Sequence, residues 1–299
     1  MEIGIIGLGK MGYNLCLNLM RRHHDVTAFD SDENKVEAIA EQGAAKADSI
    51  GDLARKLSKR RVIWLMIPAG DTIDEVINEL LPALEPRDII IDGGNSNFRD
   101  SVRRYKLLKE KEIDFLDCGT SGGIEGALSG ACTMIGGEKE VYAYCAEIFK
   151  GISVEGGSLY TGEPGSGHFA KMVHNGIEYG MMQALAEGFE VISKSDFNFD
   201  YDKLASVWNH GSVIRGWLMQ LAQEAFSKDK ELKSIKGIMY SSGEGKWTVE
   251  TALDLGVPTP VIALSLFMRY RSLEEDTFAG KVIAALRNGF GGHPVEKNN

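Results

Sequence analysis

The stretch GIIGLGKMG, residues 4–12, places Gly7, Gly9 and Gly12 in the spacing G-x-G-x-x-G between an apolar run and a helix-like segment. In such a loop the first glycine permits a tight turn, the second lets a pyrophosphate approach the backbone, and the third lets strand and helix pack closely. The N-terminus of the helix adds free N–H groups and a partial positive charge. The stretch therefore predicts a dinucleotide-binding loop made of Gly7, Leu8, Gly9, Lys10, Met11 and Gly12.

An acidic residue, Asp30, ends the second predicted strand, 18 residues after Gly12. A carboxylate at this place accepts hydrogen bonds from a ribose 2′-hydroxyl and repels a 2′-phosphate, and Asp32 and Glu33 add to that repulsion. We therefore predict NAD as the cofactor, with NADP possible but less favoured. The alternative is a tight glycine turn followed by a helix that Asp30 caps.

Composition and charge limit the classes of function. The chain has 299 residues, 43% of them hydrophobic and 25% charged, which predicts a globular protein of two domains. A net charge of −10 argues against general affinity for nucleic acids or anionic membranes. Four cysteines without disulfide-scaffold or metal-site spacing predict reduced thiols. Neither an export signal nor a transmembrane-length run is found, so we expect a soluble, cytoplasmic protein.

Short β-branched runs alternate with helix-like segments through the first half of the chain. This alternation predicts an α/β domain, a doubly wound (Rossmann-type) parallel sheet, over residues 1–162. Residues 163–286 predict an all-helical substrate and dimerisation domain, broken at 196–200, 241–245 and 256–260. The last residues, 287–299, are Gly-rich and polar, which predicts a tail.

Three Gly-rich turns follow predicted strand ends, at residues 66–70, 92–97 and 117–123. Ligands of an open α/β sheet lie beyond the carboxyl ends of its strands, so the substrate and the nicotinamide should meet at these turns. Asn95 and Ser121 offer neutral hydrogen bonds, and each is otherwise an ordinary turn residue. The expected contacts are Ile67, Pro68, Ala69 and Asn95 for the cofactor and Asn95, Ser121, Gly122 and Gly123 for the substrate.

The stretch KMVHNGIEYG, residues 171–180, carries a polar stripe where a helix usually has an apolar one: Lys171, His174, Asn175, Glu178 and Tyr179. Its apolar flanks predict a central, mostly buried helix. Lys171 and Glu178 would be about 10 Å apart along it, which suits a base and an acid on either side of a small polyol. The alternatives are a solvated helix face and a structural ion-pair network.

Six motifs spread over the whole chain carry a resemblance to the decarboxylating 6-phosphogluconate dehydrogenases: GLGKMGYN, DGGNS, GTSGG, KMVHNGIEYGMMQ, GEGKWT and RNGFGGH. The resemblance implies oxidative decarboxylation of 6-phospho-D-gluconate to ribulose 5-phosphate, CO2 and NADH in the pentose phosphate pathway. It makes Lys171 the base that takes the 3-hydroxyl proton and then polarises the 3-keto group. Glu178 would protonate the enediol, and no metal is needed because an ammonium stabilises the enolate.

The same resemblance assigns further residues. The residues that match substrate-contacting positions are Asn95, Ser121, Gly122, Gly123, His174 and Asn175. Tyr179 and Arg269 match phosphate-contacting positions. Arg287 and His293 match a tail that the family inserts into a neighbouring subunit's site. A homo-oligomer, dimer or tetramer, follows from this assignment.

The chain also departs from the longer members of the family. It resembles the short-form branch, which lacks their second helical repeat. Those members often follow the second strand with Asn-Arg-Thr, suited to NADP, where this chain has Asp-Ser-Asp at residues 30–32. Ser242 stands where the family has a phosphate-binding lysine, so phosphate binding would weaken or fall to Lys246, Arg269 and Arg287.

Two other functions compete with this interpretation. A β-hydroxyacid dehydrogenase similar to 3-hydroxyisobutyrate dehydrogenase would share the nucleotide loop, the Ser-Gly-Gly turn and Lys171, but would not need the rest of the polar stripe or the Arg/His tail. A non-catalytic NAD-binding sensor predicts that Lys171→Met or Glu178→Gln would leave its activity intact.

Overall fold

The computed structural model describes residues 1–297, so the last two residues of the predicted tail lie outside the described part. The chain divides into two compact units, Met1–Asn175 and Gly176–Asn299. The predicted boundary after residue 162 lies just before a long helix, α8 (Ser166–Ser193), and the division falls within that helix. Its first turns therefore pack with the sheet unit.

The first unit is built on a sheet of eight described strands in the order β3-β2-β1-β4-β5-β6-β7-β8. The strands are β1 (Glu2–Ile6), β2 (Asp25–Phe29), β3 (Ala45–Lys46), β4 (Val62–Leu65), β5 (Ile89–Asp92), β6 (Asp114–Ser121), β7 (Ala131–Gly137) and β8 (Ser153–Gly162). The predicted alternation of strands and helices through this unit is confirmed. The prediction of a parallel sheet is confirmed for every strand pairing except that of β6 with β7, which is antiparallel.

Helices cover both faces of this sheet, as the doubly wound prediction requires. They are α1 (Lys10–Arg21), α2 (Glu33–Ala40), α3 (Ile50–Lys56), α4 (Asp71–Leu80), α5 (Phe98–Lys109), α6 (Gly123–Ser129) and α7 (Lys139–Ile152). Neighbouring strand residues enter different hydrophobic clusters: Trp64 packs on one face, whereas Ile63 and Leu65 pack on the other. Burial on both faces explains why the strands are continuous apolar runs.

The second unit is helical. Beyond α8 its helices are α9 (Tyr201–Asn209), α10 (Trp217–Lys228), α11 (Gly243–Asp254), α12 (Pro260–Arg271) and α13 (Phe278–Gly291). The prediction that the tail begins at residue 287 is wrong, because α13 continues to Gly291 and ends at Gly292, which has φ 60°. Apolar residues at helical spacing, Leu286 and Phe290, carry the helix through the polar-looking stretch.

Burial along α8 changes at its middle. Lys171, Asn175 and Tyr179 are buried, whereas most residues after 180 are partly or fully exposed in the single chain. The prediction of a mostly buried helix is thus correct only for the N-terminal half. Among residues 1–297, no helix has both the length and the apolar character needed to cross a membrane.

Candidate active site

The three loop glycines have the geometry that a dinucleotide loop requires. Gly7 has φ 99°, and a methyl group placed on Gly12 would lie 1.9 Å from the Gly7 carbonyl oxygen, so α1 packs directly on the turn. A methyl group on Gly9 would meet no atom of the described chain within 4 Å, which leaves that face open. The helix N-terminus at Lys10 follows immediately. These residues fit a bound pyrophosphate.

Asp30 is hydrogen-bonded to this loop. Its Oδ2 accepts the Leu8 N–H at 2.6 Å, and its Oδ1 accepts the Asp32 N–H at 2.9 Å. The Lys35 ammonium lies 3.3 Å from the same Oδ1. Burial by itself would raise the pKa of Asp30, but the hydrogen bonds from Asp32, Leu8 and Lys35 outweigh it and lower that pKa. Asp32, rather than Asp30, caps α2, because its side chain accepts the Asn34 N–H.

A cleft of about 160 Å³ opens beside the loop, and its lining residues are Met11, Met66, Ile67, Gly93, Gly94, Asn95 and Thr120. Asn95 adopts a left-handed backbone, with φ 52°, and its Oδ1 is buried without a hydrogen-bond donor from any described residue. A buried acceptor without a donor is rare in a folded chain. Asn95 is therefore ready to bind a ligand group. Pro68 and Ala69 follow Ile67 in the chain and are exposed.

Lys171 belongs to a hydrogen-bonded network with Asn175, His174 and Ser121. Its Nζ donates to Asn175 Oδ1 at 2.7 Å, and His174 Nδ1 lies 3.0 Å from the same oxygen. His174 Nε2 lies 3.2 Å from Ser121 Oγ. Because an amide oxygen only accepts, the neutral imidazole of His174 carries its proton on Nδ1 and accepts from Ser121 at Nε2. The network fixes the tautomer of His174 and the direction of the Lys171 side chain.

Two residues of β6, Asp117 and Gly119, contact the N-terminal part of α8 and so position Lys171. Asp117 accepts the N–H groups of Gly165, at 2.6 Å, and His168, at 2.8 Å, at the start of the helix. A methyl group on Gly119 would lie 2.4 Å from Lys171 Cβ, so only glycine allows this approach. Burial raises the pKa of Asp117. Residues at spacing two on a strand share one face, which is why Asp117 and Gly119 both contact α8.

The remaining stripe residues lie further along α8, in the second unit. Glu178 is partly buried, and Tyr179 is only 5% exposed. The Arg269 guanidinium lies 3.6 Å from the centre of the Tyr179 ring and donates to the Tyr240 carbonyl oxygen at 2.8 Å. Ser242 Oγ lies 3.4 Å from the Tyr179 hydroxyl. An arginine, a phenol and a hydroxyl thus form one cluster suited to a phosphate.

The other candidates for binding phosphate lie elsewhere in the second unit. Lys246 pairs with Glu250 at 3.4 Å on an exposed part of α11. Arg287 and His293 are exposed at the end of α13, where the His293 carbonyl oxygen accepts a hydrogen bond from Asn288. Of the three cations predicted to compensate for Ser242, Arg269 is the one that contacts Tyr179 among the described residues.

Sequence reasoning missed Arg104, Thr120 and Lys35. Arg104 is buried, and its position on the same helix face as Ser101 and Leu108 was the signal that could have revealed it. Thr120 and Lys35 carry no comparable signal, because strand ends and helix surfaces commonly hold these residue types. No group of three His, Cys, Asp or Glu side chains that could hold a metal ion occurs in residues 1–297.

A Gly loop directly after β1, an acidic residue at the end of β2 and a helical second unit are the features of an NAD(P)-binding oxidoreductase. The model of the NAD-binding domain of 6-phosphogluconate dehydrogenase matches residues 2–162, and that of its C-terminal domain matches residues 167–285. The chain belongs to the 6-phosphogluconate dehydrogenase family.

Individual relatives agree with this assignment. The chain is 55% identical, over 99% of its length and 100% of the relative, to YqeC of Bacillus subtilis, whose name places it provisionally among the 6-phosphogluconate dehydrogenases. It is 40% identical, over 100% of both chains, to the NAD(+)-dependent, decarboxylating 6-phosphogluconate dehydrogenase of Haloferax volcanii.

Among solved structures, the Plasmodium falciparum 6-phosphogluconate dehydrogenase, described with NADP+ and with 6-phosphogluconate, matches with TM-score 0.84 and 32% identity. The match covers 100% of this chain and 67% of that one. The Mycobacterium tuberculosis 3-hydroxyisobutyrate dehydrogenase matches at 20% identity and TM-score 0.73, over 90% of this chain and 92% of that one, which shows a shared fold alone.

Proposed function

We propose that this protein oxidises and decarboxylates 6-phospho-D-gluconate to ribulose 5-phosphate and CO2, with NAD as the preferred cofactor, in the pentose phosphate pathway. The observation that carries the proposal is the polar stripe of α8, in which buried Lys171 and partly buried Glu178 lie seven residues apart on one helix. A β-hydroxyacid dehydrogenase that releases no CO2 needs only the first of these. The cluster of Tyr179, Ser242 and Arg269 further favours a phosphorylated substrate.

Proton transfers divide between the two residues. Bound NAD would supply the hydride acceptor for C3 of the substrate. Lys171, as the neutral amine, accepts the 3-hydroxyl proton, and its ammonium then donates a hydrogen bond to the 3-keto oxygen. That hydrogen bond stabilises the enediolate left when the C1 carboxylate departs as CO2. Glu178 donates a proton to the carbon that becomes C1 of the product.

Separate groups of residues would hold the substrate hydroxyls and the phosphate. Asn95 Oδ1 has no donor among the described residues and could accept a hydrogen bond from a substrate hydroxyl. Ser121 and His174 are hydrogen-bonded to each other, and a second hydroxyl could bind to this pair. We propose Tyr179, Ser242 and Arg269 as phosphate contacts, because stacking on Tyr179 and bonding to Tyr240 hold the guanidinium in place before the ligand binds. Preorganisation of this kind lowers the entropy lost on binding.

The test is the initial rate of cofactor reduction with 6-phosphogluconate, run in parallel with NAD and NADP while released CO2 is captured. Equal amounts of CO2 and NADH, with NAD favoured, support the proposal. Reduction without CO2, or with unphosphorylated β-hydroxy acids only, would identify the simpler dehydrogenase instead. NADH binding without any turnover would favour the sensor.

Cofactor preference depends on charged groups of opposite sign just after β2. Asp30 and Asp32 disfavour a 2′-phosphate, whereas Lys35, 42% exposed in its side chain, could contact one. We expect Lys35→Met to lower kcat/KM for NADP by about 10-fold, the value of one charge-assisted hydrogen bond, and to leave NAD within about 2-fold. Lys46→Met, a surface lysine of the same unit paired with Glu37, is the control. Equal losses with both cofactors would contradict this role.

An apolar surface on the second unit supports a homo-oligomer. The structure describes every residue of α13, and none of them is buried. Even the large apolar side chains are exposed, Phe278 to 80% and Phe290 to 79%. Ile283 and Leu286 are exposed on the same helix. A monomer rarely leaves so continuous an apolar helix in water. We propose that a second copy of the chain covers α13 and that Arg287 and His293 then reach the neighbour's site.

Mixing two defective subunits tests this exchange. Lys171→Ala and Arg287→Ala proteins should each have little activity at substrate concentrations below KM. After denaturation and joint refolding, activity should return to about one quarter of wild type, because half of the dimers are mixed and each has one intact site. If Arg287 served its own subunit, no site would be intact and no activity would return.

A further inference from the structure

Arg104, on α5, is 1% exposed and uses all five of its N–H groups. Its Nε and Nη2 donate to the two oxygens of Asp74, at 3.1 and 2.9 Å, and Nη2 also donates to the Gly70 carbonyl oxygen at 2.9 Å. Its Nη1 donates to Asp92 Oδ2 at 3.4 Å and to Ser96 Oγ at 3.3 Å. A single guanidinium therefore joins the start of α4 to the turn that follows β5.

The ion pair with Asp74 is strong. Burial alone would raise the pKa of Asp74, but hydrogen bonds from Arg104 and Arg103 outweigh it and hold that pKa at about 2. Asp74 is therefore a carboxylate at any working pH, and the fork of Arg104 matches its two oxygens. The direction of the guanidinium is fixed by this contact, so its other edge has a defined position.

Both segments that Arg104 joins form walls of the cleft. The turn after β4 supplies Met66 and Ile67, and the turn after β5 supplies Gly93, Gly94 and Asn95. The two turns are in close contact, because a methyl group on Gly94 would lie 2.5 Å from the Ile67 carbonyl oxygen. A change at Arg104 would thus alter the spacing of these walls without changing any residue that lines the cleft.

We propose that Arg104 is a positioning residue that sets the width of the cleft for the nicotinamide half of the cofactor. The inference rests on the proposed function and on the sequence-based prediction that nicotinamide and substrate meet at the turns that line this cleft. The adenosine half is held elsewhere, by the Gly loop and Asp30, neither of which Arg104 contacts among the described residues. Loss of Arg104 should therefore weaken the binding of the nicotinamide half and leave the binding of the adenosine half unchanged.

A second buried pair in the same sheet provides a matched control. Arg61, immediately before β4, donates to Asp88, immediately before β5, at 2.7 Å, and to the Ala54 carbonyl oxygen at 2.9 Å. This pair bridges the same two strands as Arg104 does, but at their opposite ends. Arg61→Lys should disturb the unit in a similar way while leaving the cleft unchanged.

The experiment measures the affinity of full-length Arg104→Lys and Arg61→Lys proteins for NADH and for ADP-ribose, which lacks the nicotinamide, by calorimetry. For Arg104→Lys we expect NADH to bind about 10-fold more weakly and kcat to fall about 100-fold, the usual effect of a 1 Å misplacement. The affinity for ADP-ribose should change by less than about 2-fold, because the charge-assisted hydrogen bonds to the pyrophosphate are retained. Arg61→Lys should leave both affinities unchanged.

Equal weakening of NADH and ADP-ribose, or the same result from both arginine variants, would overturn the proposal in favour of a general structural role. If Arg104→Lys does not fold, Ser96→Ala removes one acceptor and keeps the Asp74 pair. It should weaken NADH binding alone, by a smaller factor, and an unchanged affinity would overturn the proposal. If wild-type protein binds NADH without turning over 6-phosphogluconate, the proposed function fails while the binding comparison still decides the role of Arg104.

Discussion

Replacing Lys171 with alanine should lower kcat with 6-phosphogluconate by at least about 1,000-fold, within the range expected for loss of a positioned base. The reason lies in the network around it. Lys171 is 6% exposed and donates to Asn175, so its amine is held where water cannot easily substitute for it. Hydride transfer itself should be slow, which stopped-flow absorbance of NADH formation in a single turnover would show.

Binding measurements keep this result interpretable. NADH affinity of the Lys171→Ala protein should stay within about 3-fold of wild type, because the Gly loop and the cleft walls are unchanged. Lys194→Ala, just beyond the C-terminal end of the same helix, is the control and should retain full activity. If Lys171→Ala kept a single-turnover rate near that of wild type, Lys171 would not be the base. The interpretation of the polar stripe as an acid and base pair would then be wrong.

Glu178→Gln should give a different defect: slow turnover, by about 100-fold or more, with substrate binding largely kept. The substitution retains the shape of the side chain and removes its proton. Oxidation and CO2 release do not need that proton, so each site should produce one equivalent of NADH rapidly and then stall. A burst followed by a slow steady state, measured in the same stopped-flow assay, is the expected signature.

The chain offers a control for this variant too. Glu187, two and a half turns further along α8, is exposed and accepts a hydrogen bond from Gln183. Glu187→Gln should therefore behave as wild type. A wild-type steady-state rate in Glu178→Gln would refute the role proposed for Glu178. A slow first turnover without a burst would mean instead that Glu178 assists oxidation.

The sequence alone was enough to predict the sheet unit and the central motifs, because these depend on local patterns. The spacing of Gly7, Gly9 and Gly12 encodes a turn that few other residues could form, and apolar runs buried on both faces predict parallel strands. The antiparallel β7 and the two-residue β3 were beyond this reasoning, since strand direction and pairing depend on partners distant in the chain.

The polar stripe of α8 was likewise visible in the sequence, because a helix places residues 171, 174, 175 and 178 on one side whatever surrounds it. What surrounds it was not visible. The approach of Lys171 to Gly119, the tautomer of His174 and the stacking of Arg269 on Tyr179 join residues 50 or more positions apart. Periodicity within one segment carries no information on such contacts.

The sequence by itself determined a dinucleotide-binding sheet, a helical second unit and a helix with a polar stripe, because each follows from turn chemistry or from the period of one element. Only the tertiary structure decided that Asp30 bonds to the Gly loop beside Lys35 and that Arg104 joins two walls of the cleft. Each of these depends on packing between segments, where burial leaves a polar group only the partners that the fold brings to it.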